Sequence, residues 1–391
     1  MIEEIMQITT DEEYISYLAK EKDTDMVVDL RPGKNIVLCT LDGNSYNHWL
    51  PRLAAFIKDR VDNDHGLPDK IYITYTTEPF LDMGDKVFSQ IVEKGFYVTE
   101  KNSNVSYYDE NIECTFINGD LAIVDSVTKY LSVNNLSIGN IKTIGYPLGL
   151  LSRTRNRLTE LNANNKIADY NSNPTKHFIC LNAVACRYRA ELVTWLHQTG
   201  IIDKCHWSWL RRKTTKEWDE HLEECGFSDT EIFDFRKTTV LDISLDELEI
   251  HTNQDTVSDF YYLTDSLIDI GVETVPDAHQ FITEKTWKPY LHGKISLFLN
   301  CQSYYSILKN LGFELYDEIF DYSFDTIIDI HERQTAYYAE LKRISDISIE
   351  ELQMKISTIE DKILRNRNHA WNCDLGTLFP FKDYPTLLPQ E

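Results

Sequence analysis

Leu267-Ile268-Asp269-Ile270-Gly271-Val272-Glu273-Thr274 and, after the short stretch Val275 to Gln280, Phe281-Ile282-Thr283-Glu284-Lys285-Thr286-Trp287-Lys288-Pro289-Tyr290-Leu291-His292-Gly293 decide how this chain folds. The first segment is an apolar run of strand length that delivers an acid, Glu273, at its end. Pro276 and Asp277 supply turn chemistry between the two segments. Thr283 can cap a helix beginning near Glu284, because its hydroxyl can accept an orphan backbone N–H and an acid suits the positive helix end. The first helical turn then carries a carboxylate and an ammonium side by side at a strand-to-helix corner. In open α/β sheets, ligands bind at such corners, beyond the carboxyl ends of the strands. His292-Gly293 ends the helix, and the apolar run Ile295 to Leu299 reads as the next strand.

Upstream, His177 to Leu181 reads as a strand that stops at Asn182, and Ala185-Cys186-Arg187-Tyr188-Arg189 leads into a helix over 190–197 closed by Gly200. Arg187 and Arg189 lead into this helix, and a guanidinium fork is the kind of group that grips phosphate oxygens. Downstream, Tyr304 to Leu311 reads as a helix stopped by Gly312, and 325–367 has apolar residues at the three-and-four spacing of a packed helical face. The polar, Asn-rich stretch 154–175 reads as an interdomain connection.

The first half of the chain carries the same grammar. Strands are expected at 26–29, 36–40, 71–75, 96–99, 114–117, 121–124 and 142–146, with helices at 11–20, 53–57 and 81–94, the last closed by Gly95. Strand, helix and strand at the spacing of 71–99 is the sign of a βαβ unit in a parallel sheet. The expected fold class is therefore α/β with two domains, about 1–165 and 176–325, and a helical tail over 326–391.

Composition supports a packed protein: 391 residues, 42% hydrophobic and 12% aromatic, are enough for two cores. No apolar run reaches the roughly 18 residues of a membrane span. The first residues, Met1 to Gln7, are acidic where a secretory signal is basic and then apolar, so a soluble cytoplasmic protein is expected. The cysteines at 39, 114, 180, 186, 205, 225, 301 and 373 form no C-x-x-C pair, which argues for reduced thiols and against a structural zinc site. A formal charge of −24 disfavours non-specific nucleic-acid binding, which depends on neutralising phosphates; Arg211-Arg212-Lys213 with Lys216 is one candidate for a local basic cleft. The tryptophans at 207, 209 and 218 could stack on sugars, yet burial preferences favour packing. Glu-Lys pairs at helix starts are, for their part, mostly solvated surface.

The frame around Glu284-Lys285 resembles the strand, E-N-S, loop, T-E-K, helix, G, strand pattern of the nucleotide-sugar domain in α1,3-fucosyltransferase-type enzymes. It is still more similar to a set of bacteriophage and large-virus proteins described as glycosyltransferases, with a T-E-K-T-W-K-P motif, then L-K-x-L-G-F and a Y-D-containing segment. Here those read Thr283 to Pro289, Leu308 to Phe313, and Asp321-Tyr322-Ser323-Phe324-Asp325. The resemblance covers about 176–345, under half the chain. It implies two Rossmann-like domains in a GT-B arrangement, with a C-terminal helix crossing back to the first domain and the protein acting in a host cytoplasm if viral. It implies a nucleoside-diphosphate sugar as co-substrate, with no metal and no further cofactor, and inversion at the anomeric carbon. Asn182, Arg187, Arg189, Glu273, Thr283, Glu284, Lys285 and Lys288 are the donor-binding candidates: cations for the diphosphate, acids for hydroxyls of the donor sugar or ribose. In the viral set a strand ending in L-N is followed by R-x-H-R and a helix; Tyr188 stands where that pattern has histidine, and Thr274 follows Glu273 where the enzymes have Asn-Ser.

Glycosyl transfer needs grip on a diphosphate leaving group, hydrogen bonds to the donor, and a base for the acceptor hydroxyl. The base is expected from the N-terminal domain, and Asp42, His48 and Glu78 are its candidates because each follows a strand. None matches a family motif. The acceptor could be a glycan, a protein or a hydroxymethylated base in phage DNA. Asp23-Thr24-Asp25 precedes a strand instead of ending one, as a metal-binding Asp-x-Asp would, and no phosphate loop, H-E-x-x-H helix or G-x-S-x-G elbow is present. Two alternatives stay open: a catalytically silent binding or scaffold protein of the same fold, and a sugar-nucleotide hydrolase.

Overall fold

The computed structural model describes strand backbones at 36–40, 70–75, 97–100, 103–106, 113–118 and 141–145, and then 151, 154–155, 158–159, 167–168, 170, 173–182, 187–209, 215–224, 226–232, 260–273, 276 and 282–373. The chain divides into two compact units. One holds Met1–Arg153, His279–Thr283 and Asp374–Glu391; the other holds Thr154–Ala278 and Glu284–Cys373. The fold class is α/β, built on parallel sheet.

In the first unit β1 (Ile36–Thr40), β2 (Lys70–Tyr75), β5 (Glu113–Asn118) and β6 (Ile141–Gly145) form a parallel sheet in the order β1-β2-β5-β6. The expected unit joining 71–75 to 96–99 is corrected here. β3 (Tyr97–Glu100) turns back on β4 (Ser103–Ser106) as an antiparallel hairpin, and the parallel neighbour of β2 is β5. The reason is local. Only Lys101-Asn102 separates β3 from β4, and the polar Ser103-Asn104-Val105-Ser106 cannot line a buried centre as Cys114-Thr115-Phe116-Ile117 can. The strands expected at 26–29 and 121–124, the helices at 11–20, 53–57 and 81–94, and the basic cluster at 211–213 lie outside the described residues.

The second unit has its own parallel sheet, in the order β10-β9-β7-β8. β7 (Lys176–Asn182) runs into α1 (Arg187–Gln198), and a short 3-10 turn, Ile201–Lys204, leads to β8 (Cys205–Trp209) beside β7. α2 (Thr215–Glu224) and α3 (Phe260–Thr264) follow, before the chain returns on the other side of β7 as β9 (Ser266–Val272). α4 (Glu284–His292) then crosses to β10 (Ile295–Leu299), the strand outside β9. The chain thus leaves β7 in one direction and β9 in the other, and right-handed crossovers put α1 and α4 on opposite faces. The two central strands are covered on both faces: every residue of β9 and five of the seven in β7 are buried, as is every residue of the edge strand β10.

Packing fixes this arrangement. Gly271 on β9 lies opposite Phe298 on β10, and a Cβ there would come within 2.9 Å of the Phe298 ring. Past β10 come α5 (Tyr304–Asn310), a 3-10 turn at Ser323–Thr326, and three helices: α6 (Ile330–Ser345), α7 (Ile349–Ser357) and α8 (Glu360–Asn372). The helical tail is therefore segmented. Asp329 caps α6 by accepting from the His331 and Glu332 N–H groups, and Ser348 caps α7 by accepting from Glu351 N–H. α6 belongs to the α1 face, where Trp195 stacks on Tyr338 at 4.6 Å, and Tyr337 donates its hydroxyl to the carbonyls of Gly271 and Leu297. α8 lies on α4, with Trp371 donating to Leu291 O at 2.7 Å. The described part of the Asn-rich stretch builds into this unit: Leu158 is buried, Tyr170 accepts from Ile295 N–H, and Arg155 reaches Ala370 O and Cys373.

Candidate functional site

The carboxyl edge of the second sheet is a row set by register. Trp209 of β8 pairs with Asn182 of β7, and Leu299 of β10 pairs with Val272 of β9. The offset of β7 to β9, Ile179 opposite Asp269, carries on to bring Asn182 level with Val272. The point where the strand order reverses lies between β7 and β9, the place where doubly wound sheets bind ligands. Asn182 ends one of these strands and Glu273 follows the other, its N–H bonded to Leu299 O at 3.0 Å.

α1 begins three residues earlier than the apolar pattern suggests, so Arg187 and Arg189 stand in its first turn and not in the loop before it. Their side chains diverge. Arg189 is only 4% exposed and sends Nε toward Val272 O at 3.4 Å, across the switch point. Arg187 is 60% exposed and lies along α1, bonded to Glu191 at 2.7 Å; Glu191 in turn accepts from Gln334 of α6.

Thr283 is buried immediately before α4. Glu284 takes the first helical position, half-exposed, with Lys285 Nζ 3.1 Å from its Oε1. Its carboxyl is held below the usual carboxylate range: burial pushes it up, but Lys285, its own backbone N–H and Arg189 together outweigh that. Lys285, 27% exposed, also faces Glu273 Oε2 at 3.9 Å and so stands between two carboxylates. Glu273 is turned inward. It is 1% exposed, and its Oε1 accepts from Thr286 Oγ1 at 3.0 Å; Thr286 in turn lies 2.6 Å from the hydroxyl of Tyr304. Lys288, one turn on from Glu284, is buried in α4.

The rest of α4 is structural. Trp287 and Tyr290 pack on Phe313, with ring centroids 5.7 and 4.6 Å away, so the T-E-K-T-W-K-P and L-K-x-L-G-F segments meet face to face in the core. Gly293 ends the helix at φ 67°, and Lys294 N–H closes the turn on Pro289 O, the 6→1 bond of a left-handed helix end. In the third segment Asp325 serves as a remote cap: its carboxylate accepts from Tyr305 N–H at 3.0 Å at the start of α5. Burial pushes that carboxyl up to about 7 against these backbone bonds.

The structure thus brings Asn182, Arg189, Glu273, Glu284 and Lys285 to one edge, with Thr283 and Lys288 on or beside the same helix, while Arg187 points along α1. Asp42, His48 and Glu78 lie outside the described residues. Thr286 and Tyr304 were not among the residues singled out from sequence. Thr286 sits inside the quoted motif next to Lys285, and that adjacency was the available signal. Among the described residues no group of three or more His, Cys, Asp or Glu is arranged to hold a metal ion, and no helix is long and apolar enough to cross a membrane. Compared with family models, curated proteins and solved structures, the chain finds no match.

Chemically, the edge offers two cations, one guanidinium and one ammonium, beside a half-exposed carboxylate, at the amino end of a helix. Such a set suits a phosphorylated ligand with hydroxyl groups.

Proposed function

We propose that the protein is a glycosyltransferase that moves a sugar from a nucleoside-diphosphate sugar to a hydroxyl acceptor. The observation that carries this reading is the convergence of Arg189, Lys285 and Glu284 at the topological switch point of a doubly wound sheet. In this reading Arg189 and Lys285 meet the diphosphate, where negative charge grows as the glycosidic bond breaks, and Glu284 accepts hydrogen bonds from donor hydroxyls. Arg187 is exposed enough to swing from Glu191 onto a bound phosphate. The resemblance of Thr283 to Pro289 to viral and fucosyltransferase motifs supports the same donor class and suggests inversion without a metal. The GT-B arrangement, with the acceptor's general base drawn from the first unit, belongs to the proposal.

Thermal stabilisation by UDP-, GDP-, CMP- and dTDP-sugars tests it. One donor class is expected to raise Tm in the wild type, and Arg189→Ala and Lys285→Ala are each expected to abolish the rise. If no donor stabilises the wild type, the transferase reading falls and a binding or scaffold role takes its place.

A further inference from the structure

We propose that Thr286 and Tyr304 are positioning residues that hold the Lys285 ammonium in place through Glu273, an inference that deepens the donor-site reading and rests on it for the ligand involved. Glu273, Thr286 and Tyr304 are all buried, and their polar atoms form one continuous chain. The direction of its hydrogen bonds follows from proton count. Thr286 has a single hydroxyl proton and donates it to the Glu273 carboxylate, an acceptor only. Tyr304 must then donate to Thr286, and burial, which pushes the Tyr304 phenol well above its ordinary range, keeps that proton in place. The chain ends on Glu273 Oε1, and the other oxygen, Oε2, faces Lys285.

The consequence is mechanical. A flexible lysine side chain has many rotamers, and a partly exposed one is fixed only by its partners. Glu284 is half-exposed and cannot fix Lys285 alone. Glu273 is held from several elements: it directly follows β9, its N–H bonds Leu299 O of β10, α4 supplies Thr286, and α5 supplies Tyr304 to hold Thr286. Glu273 therefore gives Lys285 a fixed electrostatic anchor inside the sheet edge.

Two substitutions at one position separate positioning from packing. Thr286→Val keeps the shape and loses the hydroxyl; Thr286→Ser loses a methyl and keeps the hydroxyl. Two readouts are taken on the full chain: affinity for UDP, GDP, CDP and dTDP by calorimetric titration, and acetylation of Lys285 by acetic anhydride, measured by mass spectrometry against the exposed Lys309 and Lys355 as internal references. Thr286→Val is expected to weaken nucleotide binding about tenfold and to raise Lys285 acetylation relative to the references, whereas Thr286→Ser stays near wild type. Tyr304→Phe, which keeps the ring, is expected to act in the same direction by about threefold, and it serves in place of Thr286→Val if that variant does not fold. Unchanged Lys285 acetylation in Thr286→Val and in Tyr304→Phe overturns the proposal, as does a Thr286→Ser variant as impaired as Thr286→Val, the mark of packing alone. If no nucleoside diphosphate binds the wild type, the donor reading fails by itself and the acetylation readout still decides the positioning chain.

Discussion

The two ends of the second sheet both hold buried charge, and they hold it differently. At the amino end Lys294 is buried, donates to the carbonyls of Leu263 and Ser266, and lies over the Tyr170 ring at 5.0 Å. Beside it Asp265 accepts from Thr175 Oγ1 and bonds His206 Nε2, both at 2.6 Å. Burial pulls the Lys294 ammonium down to about 7, with Asp269 and Asp265 resisting. Asp265 is held below its ordinary range, since its bonds to Thr175 and His206 outweigh the effect of burial. Lys294 and Asp265 thus meet fixed partners within the second unit, carbonyls or side chains of the fold. At the carboxyl end Glu284 is half-exposed and Lys285 is 27% exposed, 3.1 Å apart, and Lys285 also faces the buried Glu273 at 3.9 Å. A buried charge closed by the fold's own groups is a structural element; in the proposed reading, the more exposed pair at the strand ends is the binding element.

The largest test of that contrast is at the amino end. Lys294→Ala leaves two carbonyls and Asp269 without their cation and is expected to cost about 3 kcal/mol of stability, read from the denaturant midpoint of the second unit's transition, while nucleotide affinity is unchanged. A destabilisation well under 1 kcal/mol would break the distinction from this side.

Next in size is a pH effect at Asp325. Its carboxyl is raised in the folded state, so the folded chain holds a proton that the unfolded chain has released, and the stability this confers is complete below about 4 and is lost as pH rises through about 7. Asp325→Asn, which can still accept the Tyr305 N–H, is expected to remove a slope approaching about 1 kcal/mol per pH unit between these limits. Denaturation curves at closely spaced pH values measure it. The smallest effect belongs to Arg187. Its exposed pair with Glu191 is an i,i+4 contact, and Arg187→Ala is expected to change stability by no more than about 0.5 kcal/mol.

The same contrast explains what the sequence disclosed. β10 follows directly from the apolar run after Gly293, and α4 begins at Glu284 where Thr283 suggested, because capping and strand patterning are local. The α/β class was readable for that reason. Pairing partners were less so: 96–99 reads as a strand of the parallel sheet, and only the two-residue connection from Glu100 to a polar segment marks it as a hairpin. Side-chain direction was least readable. Arg187 and Arg189 are equivalent in sequence, yet helical geometry sends one along α1 and the other across β9. Tyr304 lies 31 positions from Glu273, and no spacing rule links them; the chain through Thr286 exists because α5 starts beside the end of β10.

One paired measurement bears most directly on the carboxyl edge as the donor site: calorimetric titration of the nucleoside diphosphates into wild type, Lys285→Ala and Lys294→Met, with Tm recorded for each. The expected result is a double dissociation. Lys285→Ala loses about tenfold or more in affinity for whichever nucleotide the wild type binds and keeps its Tm, while Lys294→Met keeps the affinity and shifts the Tm. Equal nucleotide affinity in wild type and Lys285→Ala, or its loss in Lys294→Met alone, would contradict the assignment.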